Sequence, residues 1–323
     1  VSSLLFSFGL ILLLLATGAR AEINVAGRYN ADGPYAVTTA VLAVPSPDGT
    51  FTTTAYIPKD AKAARPHPVV IFLSGFMQSG VAYAPYAKRL ASWGIIAFLQ
   101  DDPVIAYAPR PKFPDETSPD NNPATAEMAV KAVSYQMSAW LPEINADGAS
   151  PLHATVDTSR IGLAGHSRGA QIALLAAEGL PGRVRGVFGL DPVDMSFGAP
   201  KAGARLTNIG IPVAFIGETV DKFSCAPAWS NYQVLYDAAA SPAVAITALD
   251  ADHTMFQDPA NCRFCSLCTK GTANPSTVLG YSVRYLTAFF ARELLGDRGV
   301  GAAFEGAGAT ADVKAGLIQV ASK

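Results

Sequence analysis

The chain has 323 residues, half of them apolar, with 24 Lys and Arg against 26 Asp and Glu and a formal net charge of −2 at pH 7. That length can bury a large core in one domain. A near-neutral balance with no basic stripe and no block of like charge argues against nucleic acid as a partner and against a charged interaction tail.

The first 21 residues stand apart. Leu4 to Ala16 is an almost unbroken apolar run, short for a bilayer span, and it leads to Ala19-Arg20-Ala21, the small-x-small pattern of a signal-peptidase site. The reading is a signal peptide over 1–21, cleaved before Glu22, with a retained anchor as the alternative. It implies a secreted or periplasmic protein, or one sent to an ER-derived or organelle compartment, with no stable membrane span after cleavage. Tyr35 to Val44 and Phe51 to Ile57 are β-rich and flank the turn cluster Pro45 to Gly49, which predicts an antiparallel hairpin at a sheet edge. Lys59 to Pro68, with His67, reads as a surface connection.

Val69 to Leu73 is a continuous apolar run of the kind buried on both faces of a sheet. Ser74 to Gly80 follows as a loop, and Tyr83 to Trp93 as an amphipathic helix. Ile95 to Leu99 is the next strand, closing on Asp101 and Asp102, which read as strand-end caps or turn formers. Pro103 to Pro123 is a long Pro-, Asp- and Asn-rich loop. Ala124 to Leu141 is a helix stopped by Pro142, and Asn145 to Thr158 a polar connection.

Ile161 to Ala164 then runs directly into Gly165-His166-Ser167-Arg168-Gly169, and an apolar helical pattern continues from Ala170 to Glu178. This is G-x-S-x-G between a strand and a helix, the setting in which a serine is held on a sharp turn with its hydroxyl clear of the sheet and helix amides aimed at developing negative charge. Strands follow at Val184 to Leu190, Ile211 to Gly217 and Ala243 to Leu249, and a helix near Thr277 to Leu295. The alternation implies one α/β domain over 22–296, a mostly parallel central sheet with helices on both faces. Residues 297–323, Gly/Ala-rich, read as a loosely packed tail.

A serine hydroxyl needs a base, and the base a carboxylate that fixes its tautomer. Of four histidines, His67 and His153 fall in connections, and His166 cannot reach round to the hydroxyl of the residue after it. His253, just past the last of these strands, remains. Asp191 closes the strand after the nucleophile unit, Glu218 and Asp221 close the next one, and Asp194 lies deeper in its loop; each is a possible acid in the order Ser…Asp…His. The oxyanion donors expected from position are the backbone N–H groups of Phe76 and Arg168. Met77, Tyr107, Trp229 and Phe256 are the candidate substrate contacts.

Gly165-His166-Ser167-Arg168-Gly169 with Leu190-Asp191-Pro192-Val193-Asp194 resembles the chlorophyllases, whose pattern is G-H-S-R-G-G followed by I-D-P-V-D. More distantly the arrangement is similar to secreted platelet-activating-factor acetylhydrolases and cutinase-like polyester hydrolases. The resemblance implies an α/β-hydrolase fold and selects the first aspartate of D-P-V, Asp191, as the acid. Three features depart from it: Ala170 stands at the motif's last glycine, Ser74 where histidine usually precedes Gly75, and the Cys262, Cys265 and Cys268 cluster lies outside the plant pattern.

The expectation is therefore a secreted serine carboxylic-ester hydrolase, monomeric, chlorophyllase-like, acting on a hydrophobic small-molecule, lipid or polymer ester without metal or cofactor. A lipase- or cutinase-type esterase is the alternative within the class, and a non-catalytic binding protein on a hydrolase fold the alternative outside it. With export, Cys225, Cys262, Cys265 and Cys268 read as two disulfides of open pairing, ahead of a four-thiolate zinc site.

Overall fold

Every position of His67–Leu73 is buried, as a strand covered on both faces requires. The structure, a computed structural model, describes residues 25–59, 66–102, 123–195, 201–221, 223–262, 265–300, 304 and 307–323. The strands are β1 (Ala36–Ser46), β2 (Gly49–Lys59), β3 (His67–Leu73), β4 (Ile96–Gln100), β5 (Val156–His166), β6 (Val184–Leu190), β7 (Val213–Glu218), β8 (Ala243–Ala248) and β9 (Ile318–Ser322). The α-helices are α1 (Val25–Arg28), α2 (Ala84–Ser92), α3 (Pro123–Tyr135), α4 (Leu141–Ala146), α5 (Arg168–Gly179), α6 (Tyr232–Ala238), α7 (Pro275–Leu295) and α8 (Ala307–Lys314).

The strands form one sheet in the order β1-β2-β4-β3-β5-β6-β7-β8-β9. β4 through β8 are parallel neighbours, while β1, β2 and β9 close the two edges in antiparallel fashion. Alternate side chains of β3 enter different cores. Val69, Ile71 and Leu73 pack with Val133, Trp140, Ile172 and Leu235 on one face, and Val70 and Phe72 pack with Tyr86, Leu90, Phe289 and Phe290 on the other. Burying one such phenylalanine contributes about 1.5–3 kcal/mol, so the helices on each face hold the sheet between them.

Register sets where the chemistry can sit. Leu73 pairs with Gly165, Gly165 with Gly189, Leu190 with Ile216, and Ile216 with Ile246. The carboxyl ends of β3, β5, β6, β7 and β8 are therefore level, and the residues that follow them share one rim of the sheet, the usual place for a site in such folds.

Three expectations need correction. His67 is part of β3 and buried, its Nδ1 2.9 Å from the Gly94 carbonyl oxygen, because the strand begins two residues before the apolar run. Pro142 does not stop the helical path: a five-residue π turn, Gln136–Trp140, leads into α4, where proline occupies the first turn and its missing N–H costs nothing. The segment after Gly296 is no loose tail. β9 adds a strand against β8, Val300, Phe304 and Ile318 are buried, and Asp312 of α8 pairs with Arg284 and accepts from the Tyr285 hydroxyl at 2.5 Å.

Candidate active site

Ser167 lies between the end of β5 and the start of α5 with φ 54° and ψ −125°, a backbone conformation that L-residues rarely adopt. Hydrogen bonds hold it there: the Ser167 N–H donates to the Leu190 carbonyl at 3.0 Å, and the Ser167 carbonyl accepts from Ala170 at 3.1 Å and Val193 at 3.3 Å. The turn is tight enough to demand its glycines. A Cβ on Gly165 would stand 2.4 Å from the Gly169 carbonyl carbon, and one on Gly169 2.2 Å from the Leu73 carbonyl oxygen, so β5, α5 and β3 approach only because neither exists. The first amides of α5 lack intrahelical acceptors and make this end of the helix favourable for an anion.

The loop after β3 passes directly against the serine. A Cβ on Gly75 would lie 3.4 Å from the Ser167 Cβ, and Phe76 is the next residue. Arg168 ties that loop down: its guanidinium covers the Phe76 ring at 4.9 Å and pairs with the fully buried Asp102. Asp102 N–H donates to the Gln78 carbonyl at 2.9 Å, and Asp101 accepts from the Ser79 hydroxyl at 2.8 Å and from Gly80 N–H at 2.6 Å. The two aspartates after β4 thus hold the 75–80 loop rather than serve the histidine.

His253 opens a 3-10 turn, His253–Phe256, just past β8, and its Nδ1 is 2.6 Å from Asp191 Oδ2. Asp191 itself has φ 36° and is fully buried; its other oxygen accepts from the Glu218 N–H at 3.3 Å. The rival carboxylates are engaged elsewhere. Glu218 accepts from the amides of Val220 and Asp221. Asp221 accepts from Ser224 and Cys225, and Asp194 from Gln171, Ala202 and Gly203.

Burial drives the Asp191 carboxyl up, opposed by its bond to His253 and that ring's charge. For His253 burial works downward, but the hydrogen bond and charge of Asp191 outweigh it, and the imidazole is raised above its ordinary 6.5. Glu218 is pushed up to about 8, by burial first and the Asp191 charge second. Its carboxyl therefore holds its proton to higher pH than an ordinary glutamate does. A group whose folded pKa is raised stabilises the fold most below its unfolded value, and that contribution fades as pH climbs toward the folded one. Glu218→Gln is expected to keep the pH 7 reaction rate near wild type and to make the decline in stability between pH 4.5 and about 8 shallower, measured by urea unfolding across that range.

Disulfides join Cys225 to Cys268 and Cys262 to Cys265. The first fastens the stretch after His253 to the loop after β7, and the second closes a short loop within that stretch. Among the described residues the one group of three metal-ligating atoms, on Asp221, Cys225 and Cys268, contains that first bridge, so its sulfurs are not thiolates and it does not suit zinc. The Cys225–Cys268 bridge spans 43 positions and the other 3. By loop-closure entropy the pair Cys225→Ser and Cys268→Ser should lose about 4 kcal/mol and removal of the short bridge about 1.5 kcal/mol, read from urea unfolding.

The sheet rim brings Ser167, Asp191, His253, Phe76 and Arg168 into one region. Met77, half-buried with φ 52°, is in the loop facing it. Trp229 is 60% exposed in the turn before α6. Phe256 is not a rim residue: it is wholly buried behind His166, ring centroids 6.3 Å apart. Tyr107 lies outside the described residues. Sequence reasoning missed Tyr83, whose hydroxyl is 2.8 Å from His166 Nδ1; helical periodicity marks such a residue only as core.

Strand order, the serine turn and the placement of the rim define an α/β-hydrolase. The sequence model of the chlorophyllase family matches residues 31–299. The chain belongs to the chlorophyllase family, which makes it a hydrolase of the ester-cleaving class. A search of curated proteins gives no match.

Proposed function

We propose that the protein is a serine carboxylic-ester hydrolase acting on a hydrophobic ester, with Ser167 as nucleophile, His253 as base and Asp191 as acid partner. The observation that carries the reading is the 2.6 Å bond from His253 Nδ1 to Asp191 Oδ2, beside a serine at φ 54°. Donating Nδ1–H to Asp191 leaves Nε2 of the imidazole as the acceptor for the serine proton. Ser167 Oγ then bonds to the ester carbonyl carbon while the carbonyl electron pair moves to oxygen, where the Phe76 and Arg168 amides receive it. The intermediate collapses by expelling the alcohol, which takes its proton from His253. Water, deprotonated by the same imidazole, then releases the acid from the acyl-enzyme.

An apolar substrate is supported by Phe223, Trp229 and Leu267, large side chains left exposed on the two segments that Cys225–Cys268 joins. Export is supported by the leader-like residues 1–21 and by two disulfides. Among the described residues no helix is long and apolar enough to cross a membrane.

Incubation with a fluorophosphonate tests the reading. One label per chain on Ser167, with nitrophenyl-ester hydrolysis falling in proportion, is the expected outcome; full hydrolysis by protein that takes no label there would refute it.

A further inference from the structure

The residue before the nucleophile is a buried histidine with both ring nitrogens engaged. His166 Nε2 is 3.0 Å from the His253 carbonyl oxygen, and Nδ1 is 2.8 Å from the Tyr83 hydroxyl. A carbonyl oxygen only accepts, so Nε2 carries the hydrogen. Burial, and then the charge of His253, hold the His166 imidazole well below its ordinary value, so the ring is neutral and Nδ1 must accept. The Tyr83 O–H therefore donates to Nδ1, and the Tyr83 oxygen in turn accepts the Gly75 N–H at 3.2 Å. The other acceptor near Tyr83, the Gln257 side-chain oxygen, is farther away at 3.5 Å. The tautomer of His166 is thus fixed from both sides.

The chain of bonds links the carboxyl ends of three separate strands, β3, β5 and β8. Gly75 precedes the candidate oxyanion donor Phe76, His166 precedes Ser167, and the His253 carbonyl belongs to the candidate base itself. The His166 and His253 rings also lie 4.5 Å apart with 34° between their planes, so the neutral ring is both a hydrogen-bond donor to the main chain of His253 and a face for its side chain. Tyr83 is fully buried and packs on Phe72, ring centroids 4.8 Å apart, which leaves the phenol one pose.

Resting on the esterase reading above, we propose that His166 is a positioning residue: fixed in its Nε2–H tautomer by Tyr83, it holds the main chain of His253 in register with Ser167 and the 75–76 loop. Neither of its ring nitrogens bonds to a reacting atom. Its contribution lies in the geometry of attack, where small displacements of a base are costly in rate, so loss of the donor should lower kcat and leave KM alone.

The donor alone can be removed or restored. His166→Leu fills similar space without a donor and is expected to lower kcat of nitrophenyl-ester hydrolysis roughly 10–100-fold at unchanged KM. His166→Gln, whose amide nitrogen reaches about the Nε2 position, is expected to recover most of that loss. Tyr83→Phe keeps the ring contacts, removes one oxygen and should lower kcat roughly 5-fold. Rates are taken per active site by fluorophosphonate titration, with thermal unfolding alongside. Equal loss in the Leu and Gln variants, or a Tyr83→Phe rate equal to wild type, overturns the proposal, and if His166→Leu does not fold the Gln and Tyr83→Phe measurements decide by the same criteria, a Gln rate no better than a 10-fold loss counting against it. A wild-type protein without esterase activity would instead remove the underlying reading.

Discussion

Replacing Ser167 by alanine is expected to lower kcat for a short-chain nitrophenyl ester by about 10⁶-fold, with thermal unfolding unchanged. Alanine keeps the Cβ and inherits the same positive φ, so the turn between β5 and α5 carries no new strain. Only the hydroxyl disappears. What remains is binding and a pair of amides at the helix start and the 75–76 loop, which together typically retain about 10³–10⁴ over water. A further consequence separates a concerted unit from independent contributions. Once the hydroxyl is gone, base and acid have no proton to move, so Ser167→Ala combined with Asp191→Asn should be no slower than Ser167→Ala alone. Turnover near wild type in Ser167→Ala would place the nucleophile elsewhere and leave the strained turn without a chemical role.

Much of the architecture was legible because its determinants are local. Val69 to Leu73 announces a buried strand by unbroken apolarity and Val184 to Leu190 by an apolar run that only Arg185, exposed near its start, interrupts, and Gly165 to Gly169 announces its turn because two of its positions tolerate no Cβ. The hairpin of β1 and β2 was legible for the same reason, its turn residues being adjacent. The misread features are those whose stability comes from distant partners. β9 is five residues long and only its first is buried; it is a strand because β8 offers an open edge 70 residues earlier. Pro142 looked like a terminator because the π turn before it leaves no trace in apolar periodicity. Phe256 looked available for substrate because sequence does not say that His166 and Tyr86 occupy its surroundings, the Tyr86 hydroxyl donating to its carbonyl at 2.9 Å. The acid was likewise undecidable from strand ends alone, since Asp191, Glu218 and Asp221 all emerge at one rim and differ only in which N–H groups claim them.

Asp191→Asn should lower kcat about 10⁴-fold without unfolding the protein, and the reason is orientation. The Glu218 N–H donates to Asp191 Oδ1 at 3.3 Å and His253 Nδ1 lies 2.6 Å from Oδ2. An asparagine here has one oxygen and one NH₂. Satisfying Glu218 N–H places the oxygen on that side and turns the NH₂ toward His253, where Nδ1 must then accept. The hydrogen moves to Nε2, and the ring can no longer take the serine proton at that atom. Glu218 does not rescue the site. Loss of the Asp191 charge removes one cause of its raised pKa, so its carboxyl ionises more readily, yet its oxygen stays committed to the amides of Val220 and Asp221. It supplies field without a hydrogen bond. Comparison of kcat for Asp191→Asn and Glu218→Gln at pH 7 therefore discriminates the acids: collapse in the first with near wild-type turnover in the second is the expected pattern. The opposite pattern would move the acid one strand along, to the carboxyl whose ordinary task here is to cap a turn.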